Sequence, residues 1–137
     1  MATNVLTQSN SGQSIGGATL WTMRSLRILL ALAFLAAGSA KLASVPAMVQ
    51  VFDAIGFGQW FRYVTGVVEI VGAVALLVPS YAVLGAAWLG TTMFFATLTH
   101  LFILHTSPAP ALILLALSAV IVTLGRNQIK ELVARFS

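Results

Sequence analysis

Apolar residues run along this chain in long segments that short polar or proline-containing stretches separate. The segments cover residues 25–42, 63–78, 81–104 and 109–124. Each is close to the roughly 17 to 25 residues that a helix needs to cross a bilayer at about 1.5 Å per residue. Connections as short as those at Pro79 and at Pro108 require neighbouring helices to run antiparallel. The pattern therefore predicts an all-α integral membrane protein, an up-down bundle of four transmembrane helices.

The remaining segments complete the predicted domain organisation. Residues 1–23 are rich in Ser, Thr, Asn, Gln and Gly and carry no charge, which predicts a disordered polar tail before a transmembrane domain at 24–125. Between the first two spans, Ser44, Pro46 and Gly56 predict the start and end of a short interfacial helix. Its apolar stripe consists of Val45, Met48, Val49, Phe52 and Ile55. Residues 126–137 predict a basic amphipathic segment on the anionic cytoplasmic leaflet.

The composition of the chain indicates a membrane protein and argues against several classes of function. Hydrophobic residues make up 59% of the chain and charged residues 7%, against roughly 25% charged residues in a soluble domain. Most of the basic residues flank apolar segments, so they indicate topology, and no nucleic-acid partner is expected. An even number of spans with basic flanks predicts a multi-pass protein with both termini in the cytoplasm. Without cysteine, thiolate-held metals and clusters are excluded, and no metal site is predicted.

A secretory signal is an alternative interpretation of the first apolar segment. Arg24 and Arg27 precede an apolar run, and Gly38, Ser39 and Ala40 resemble a cleavage site. The polar stretch before Arg24 is long for such a signal, so we expect this segment to stay as the first span. N-terminal sequencing of the purified protein distinguishes the two interpretations.

Glu69 lies inside an unbroken apolar run at residues 63–79 and is one of three acidic residues in the chain. A charge near a bilayer centre costs about 3 kcal/mol on insertion scales, so such residues usually face a partner or a cavity. Counted along ideal helices, Lys41 lies about 8 Å and Glu69 about 9 Å inside the outer edge of the hydrocarbon core. These depths predict an ion pair. The alternatives are that Lys41 extends to the interface or that the pair is purely structural.

Helical periodicity places further polar side chains of the second and third spans on the faces that turn toward Glu69. On the third span they fall within an arc of roughly 100° that ends at His100. We predict that Glu69 and His100 handle protons, although His100 has the alternative of being simply solvated at a helix end. The predicted substrate-binding residues are Lys41, Thr65, Thr92, Phe95, Thr99 and Trp60. Trp60 belongs to an aromatic cluster with two interpretations, an interfacial belt or the wall of a quinone access cleft.

Several motifs follow one another in a fixed order along the chain. They are RILLALAFLAAGSAKL at 27–42, FDAIG at 52–56, TGVVEIVGAVALLVP at 65–79, GAAWLGTTMFFATLTHL at 85–101 and a proline-led last helix. The specific positions are Gly38, Lys41, Leu42, Gly66, Glu69, Gly72, Pro79, Gly85, Thr99 and His100. Over about residues 24–126 this ordered set resembles the DoxX-like family. The resemblance implies a small four-helix protein of the bacterial plasma (inner) membrane, and some members are associated with quinone-linked oxidation or with membrane oxidoreductase complexes.

Two classes of function follow from these observations. The first is a redox-associated membrane subunit that binds a quinone in the outer half of the bilayer, with electrons supplied by a partner subunit or a dissolved substrate. The second is non-enzymatic, either a small transport unit or an assembly factor of a membrane complex. The sequence leaves open whether the protein is an enzyme and whether it forms a homo-oligomer.

Overall fold

The secondary structure was taken from a computed structural model, which describes residues 3–137 and the side chains from Gly17 onward. Apart from short connections, this part of the chain is helical and contains no strand, which confirms the all-α prediction. A 3₁₀ turn, Pro79–Tyr81, precedes the fourth helix, and a π-helical turn, His100–Leu104, follows it. The helices are α1 (Thr3–Leu42), α2 (Pro46–Ile55), α3 (Gln59–Leu77), α4 (Ala82–Thr99), α5 (Ala109–Leu124) and α6 (Arg126–Phe136).

The predicted tail at residues 1–23 falls only partly on described residues. Residues 1–2 lie outside them, as do the side chains of residues 3–16. α1 runs without a break through Arg24, where the sequence placed the boundary between the tail and the first span. The disorder predicted for the tail stays a prediction.

Three segments of the described chain are long and apolar enough to cross a membrane. They are Gly17–Leu42, Gln59–Leu77 and Pro79–Leu104. α5 has 16 residues and meets this criterion only together with α6, from which it is bent by 63°. The described residues therefore contain three candidate spans, or four when α5 and α6 are counted as one.

Large apolar side chains face outward on the long helices. In an 18-residue apolar stretch of each of the three candidate spans, only 22% to 33% of the residues are buried inside the protein. Leu29, Val71, Trp88 and Ile113, for example, are each more than half exposed. A soluble protein rarely exposes apolar surface on this scale, whereas such surface is what hydrocarbon chains cover. The distribution is that of a membrane protein.

α1 and α3 pack antiparallel, with their backbones in direct contact. A Cβ added to Gly38 of α1 would lie 2.9 Å from the carbonyl oxygen of Gly66 and 2.8 Å from Cγ1 of Ile70. Nearer the start of α1, Arg27 reaches Leu76 at the end of α3. Small residues permit this approach, because in lipid helices associate mainly through close packing.

α4 packs on α3, and α5 packs on α4. A Cβ on Gly85 of α4 would lie 2.9 Å from the carbonyl oxygen of Gly72, and one on Gly90 would lie 3.3 Å from Cβ of Ser118 in α5. α1 also contacts α5, so the four long helices enclose a common interior. The buried core consists of Leu30, Ala31, Phe34, Ala73, Leu76, Ala86, Leu89, Met93, Ala111 and Ile121.

The contact between α1 and α3 predicts that substituting two glycines of the same helix has different effects on stability. We expect Gly38→Ala to lower the free energy of unfolding by about 1–3 kcal/mol, because the added methyl group forces two backbones apart. Gly17→Ala is the control, since a Cβ there would meet nothing within 4 Å. Its effect should be neutral or slightly stabilising, because Ala favours a helix over Gly. Denaturant unfolding in detergent, followed by circular dichroism, measures both. Equal stabilities would contradict the close packing.

Candidate functional site

The structure contains the ion pair that the matched depths predict. Nζ of Lys41 lies 2.9 Å from Oε2 and 3.1 Å from Oε1 of Glu69. The two side chains are 14% and 5% exposed. One ammonium group therefore binds both oxygens of a buried carboxylate, which is the arrangement that a charge needs when it leaves water.

The glycine contact explains why these two side chains meet. Lys41 follows Gly38 by three residues, and Glu69 follows Gly66 by the same spacing, so each charge lies almost one turn beyond the contact. In a helix, the Cα–Cβ bond tilts toward the N-terminus. Because α1 and α3 are antiparallel, the two side chains lean toward each other along the interface.

A cavity of about 290 Å³ lies beside the ion pair. All five helices from α1 to α5 contribute to its walls, and α2 covers it with Met48, Val51, Phe52 and Ile55. Most of the lining is apolar. The polar exceptions are Lys41, Thr65, Glu69, Thr92, Thr99 and His100.

Two of the residues predicted to bind substrate lie outside this cavity. Trp60 is 64% exposed, and its ring packs edge-on against Phe61 with the centroids 5.8 Å apart. Phe95 is 61% exposed and contacts Phe94. Successive residues of a helix are rotated by about 100°, so when Ala96 faces the cavity its neighbour Phe95 faces outward. The other predicted residues are brought together.

Each threonine hydroxyl that lines the cavity already donates a hydrogen bond to a backbone carbonyl of its own helix. Thr65 donates to the carbonyl of Arg62 at 2.9 Å, Thr92 to that of Trp88 at 3.0 Å, and Thr99 to that of Phe95 at 2.9 Å. Each hydroxyl has a single hydrogen, so these groups offer a ligand only their lone pairs. Donors to a bound molecule must therefore come from Lys41 or His100.

His100 occupies the first position of the π-helical turn. Its Nδ1 lies 2.8 Å from Oγ1 of Thr106, and its carbonyl accepts from the Thr106 backbone N–H at 3.0 Å. The other ring nitrogen makes no hydrogen bond within the described part of the chain. Single π-helical turns are frequent at functional sites. The apolar pattern, which continues through Leu104, gave no signal of this turn.

Arg62 is a buried component of the site that sequence reasoning missed. It is not among the predicted site residues, yet it is only 3% exposed. Its Nε donates to Oε1 of Gln59 at 2.6 Å, and its Nη1 donates to the carbonyl of Lys41. The available signal was the spacing of Gln59 and Arg62 on one helix face, downstream of Asp53.

Arg27 makes the matching contact at the opposite end of the helix pair. Its Nε donates to the carbonyl of Leu76 at 2.8 Å. Each of the two antiparallel helices therefore supplies an arginine to the last turn of the other, where carbonyl groups lack partners and cations are favoured.

Comparison with known protein families gives a match over the part of the chain that contains these residues. The family model described as the DoxX-like family matches residues 25–123, from the first candidate span almost to the end of α5. The comparison with curated proteins and the comparison with solved structures give no match. Among the described residues, no three His, Asp or Glu side chains lie together as a metal site requires.

The ion pair predicts strongly non-additive effects of substitution. Lys41→Met leaves the Glu69 carboxylate buried without a partner, so we expect a loss of about 3–5 kcal/mol in the free energy of unfolding. Adding Glu69→Leu to Lys41→Met should recover most of this loss, because two apolar side chains then meet. Denaturant unfolding in detergent measures the single variants and the double variant. A double variant as unstable as Lys41→Met alone would contradict a stabilising pair.

Proposed function

Because this chain belongs to the DoxX-like family, we propose that it is a four-span membrane protein that binds a quinone-type molecule beside Lys41 and Glu69. The observation that carries the proposal is the cavity, which combines a mainly apolar lining with a buried ion pair and a histidine. Cavities of this kind, with few convergent polar groups, are typical ligand sites. The family itself supports the membrane location, and the ligand is our inference from the cavity.

The arrangement of α5 and α6 supports a fourth crossing. α5 packs against α4 and α1, which belong to two of the three longer candidate spans. Its 16 residues extend about 24 Å, which covers most of a hydrocarbon core of roughly 30 Å. The 63° bend before α6 then turns the chain along the membrane surface. We propose that α2 lies in the outer interface.

Basic residues support a cytoplasmic location for both termini in the bacterial plasma membrane. Gln128 of α6 donates to the carbonyl of Pro79, which places α6 at the same end of the bundle as Arg27. α6 adds Arg126, Lys130 and Arg135 at this end, and loops rich in Lys and Arg stay in the cytoplasm. Phe136 is 88% exposed beside these charges, as suits a helix lying on an anionic leaflet.

The residues present in the cavity fit a quinone head. The volume of about 290 Å³ is at the lower limit of ligand sites, roughly 300–1,000 Å³. It therefore suits a single ring whose isoprenoid tail lies outside. Lys41 offers N–H groups to one ring oxygen and His100 to the other, while Glu69 offers a proton acceptor.

Proton transfer is the chemistry that these side chains support. A bound quinone takes up an electron pair and two protons in becoming a quinol. In this proposal, Glu69 would pass a proton to or from the ring oxygen that Lys41 binds, and His100 would do the same at the other ring oxygen. The sequence has no recognisable redox centre, so the electrons come from a partner subunit or a dissolved reductant.

A non-enzymatic role is the second candidate, and one observation favours it. Both carboxylate oxygens of Glu69 are already bound by Lys41, as expected of a clasp that holds α1 to α3. The protein would then serve as an assembly factor or small transport unit, and the cavity would hold lipid chains.

Quinone binding distinguishes these candidates. We expect a short-chain ubiquinone analogue to bind saturably to the protein in lipid nanodiscs. Glu69→Gln should weaken binding by roughly tenfold or more, because hydrogen bonds to charged groups contribute about 1.5–3 kcal/mol. Phe95→Leu is the matched control, since Phe95 lies outside the cavity, and its affinity should stay within about twofold of the parent. Absence of saturable binding to the parental protein would reject the quinone proposal and favour the clasp.

Topology is tested with single cysteines, because the natural chain contains none. In spheroplasts of a bacterial expression host, a membrane-impermeant maleimide should label Phe57→Cys without permeabilisation. It should label Ser137→Cys only after the membrane is opened. If both positions are labelled in intact spheroplasts, α5 does not cross the membrane and the four-span proposal is wrong.

A further inference from the structure

α2 is a short helix that covers the cavity. It contributes part of the cavity wall, and Phe52 is its one fully buried residue. Its connections to α1 and α3 contain left-handed backbone at Ser44 (φ 56°), Gly56 (φ 85°) and Gly58 (φ 95°). Such conformations break helical continuity. The position of α2 therefore depends on side-chain contacts rather than on continuation of a neighbouring helix.

Gln59, the first residue of α3, makes these polar contacts. Its Nε2 donates to the carbonyl of Val49 at 3.1 Å and to Oδ1 of Asp53 at 2.6 Å, and both acceptors belong to α2. Among the described residues, no other side-chain hydrogen bond ties α2 to the rest of the bundle. The remaining attachment is apolar and includes the edge-on contact of Phe52 with Phe61.

The amide of Gln59 also lies between two charges. Its Oε1 accepts from Nε of buried Arg62 at 2.6 Å, while its Nε2 faces the carboxylate of Asp53. No direct ion pair joins Arg62 to Asp53 in the described part of the chain. A side-chain amide has N–H donors on one side and an oxygen acceptor on the other. In the observed orientation, the amide of Gln59 therefore satisfies both the arginine and the carboxylate, and each hydrogen bond polarises the other.

The same contacts continue to the ion pair. Arg62 donates to the carbonyl of Lys41, and Lys41 binds Glu69. A series of polar contacts thus links Asp53, on the cover of the cavity, to Glu69 within it, and Lys41 takes part through its backbone carbonyl on one side and its ammonium group on the other. Two of the three acidic residues of the protein stand at the ends of this series.

We infer that Gln59 is a positioning residue that latches α2 over the cavity, and that release of this latch opens the path to Lys41 and Glu69. The inference rests on the proposed function only in treating the cavity as the ligand site. The geometry of the latch is independent of any ligand. Gln59→Glu is the informative variant, because a carboxylate keeps the acceptor for Arg62 but loses both donors to α2 and repels Asp53.

A cysteine at Val51 reports the position of α2, because Val51 lines the cavity and the natural chain has no cysteine. In nanodiscs without added quinone, we expect Gln59→Glu to raise the labelling rate of Val51→Cys by a neutral maleimide about tenfold. Two lost hydrogen bonds shift a local opening equilibrium by about that factor. Gln50→Glu is the same change at an exposed residue of α2 whose side chain makes no hydrogen bond within the described part of the chain. It should leave the labelling rate within about twofold.

A second reporter, Ala47→Cys on the exposed face of α2, should react equally fast in all backgrounds. Circular dichroism confirms that each variant is folded. An unchanged rate at Val51→Cys in folded Gln59→Glu protein would overturn the latch. An equal rise with Gln50→Glu would also overturn it, since added charge alone would then explain the effect. Because no quinone takes part, failure of quinone binding and failure of the latch are separate results.

Discussion

The approach of α1 to α3 at Gly38 and Gly66 is the constraint on which the other features of this structure depend. With no Cβ on either side, the two backbones come close enough for side chains one turn away to meet across the interface. Lys41 and Glu69 stand at those positions, and each leans toward the other because the helices are antiparallel. A larger residue at the contact would separate the charges and leave both in a medium that solvates neither.

The arginines at the two ends of this helix pair bind backbone carbonyl groups that would otherwise lack hydrogen-bond donors. The last carbonyl groups of a helix have no partner within the helix, and lipid supplies none. Arg27 binds a carbonyl at the end of α3, and Arg62 binds one at the end of α1. Each helix thus supplies a donor to one carbonyl at the end of its neighbour. Arginine side chains bound to backbone carbonyls hold both ends of the helix pair, and near Arg62 the ion pair of Lys41 with Glu69 adds to this contact.

The parts of the site that follow from helical repeat were predictable from the sequence. The spans and the matched depths of Lys41 and Glu69 depend only on rise per residue and bilayer thickness, which are nearly constant. The positions of Trp60 and Phe95 depend on the rotation of each helix about its axis, which packing determines. The contacts of Arg62 depend on the turns at Gly56 and Gly58. The π-helical turn at His100 arises where the chain leaves α4 to reach α5, and no local pattern encodes that path.

Holding the bundle together and binding a ligand are compatible roles for the ion pair. A lysine ammonium has three N–H groups, and the carboxylate of Glu69 engages it through two oxygens. One donor can therefore turn toward the cavity, which Lys41 lines, while the pair stays intact. The threonine hydroxyls cannot compete for the same ligand oxygen as donors, because each is bonded to its own helix. If the proposed ligand binds here, the clasp between α1 and α3 would hold the remaining donor beside it, so the contact between the two helices would also pre-organise the site.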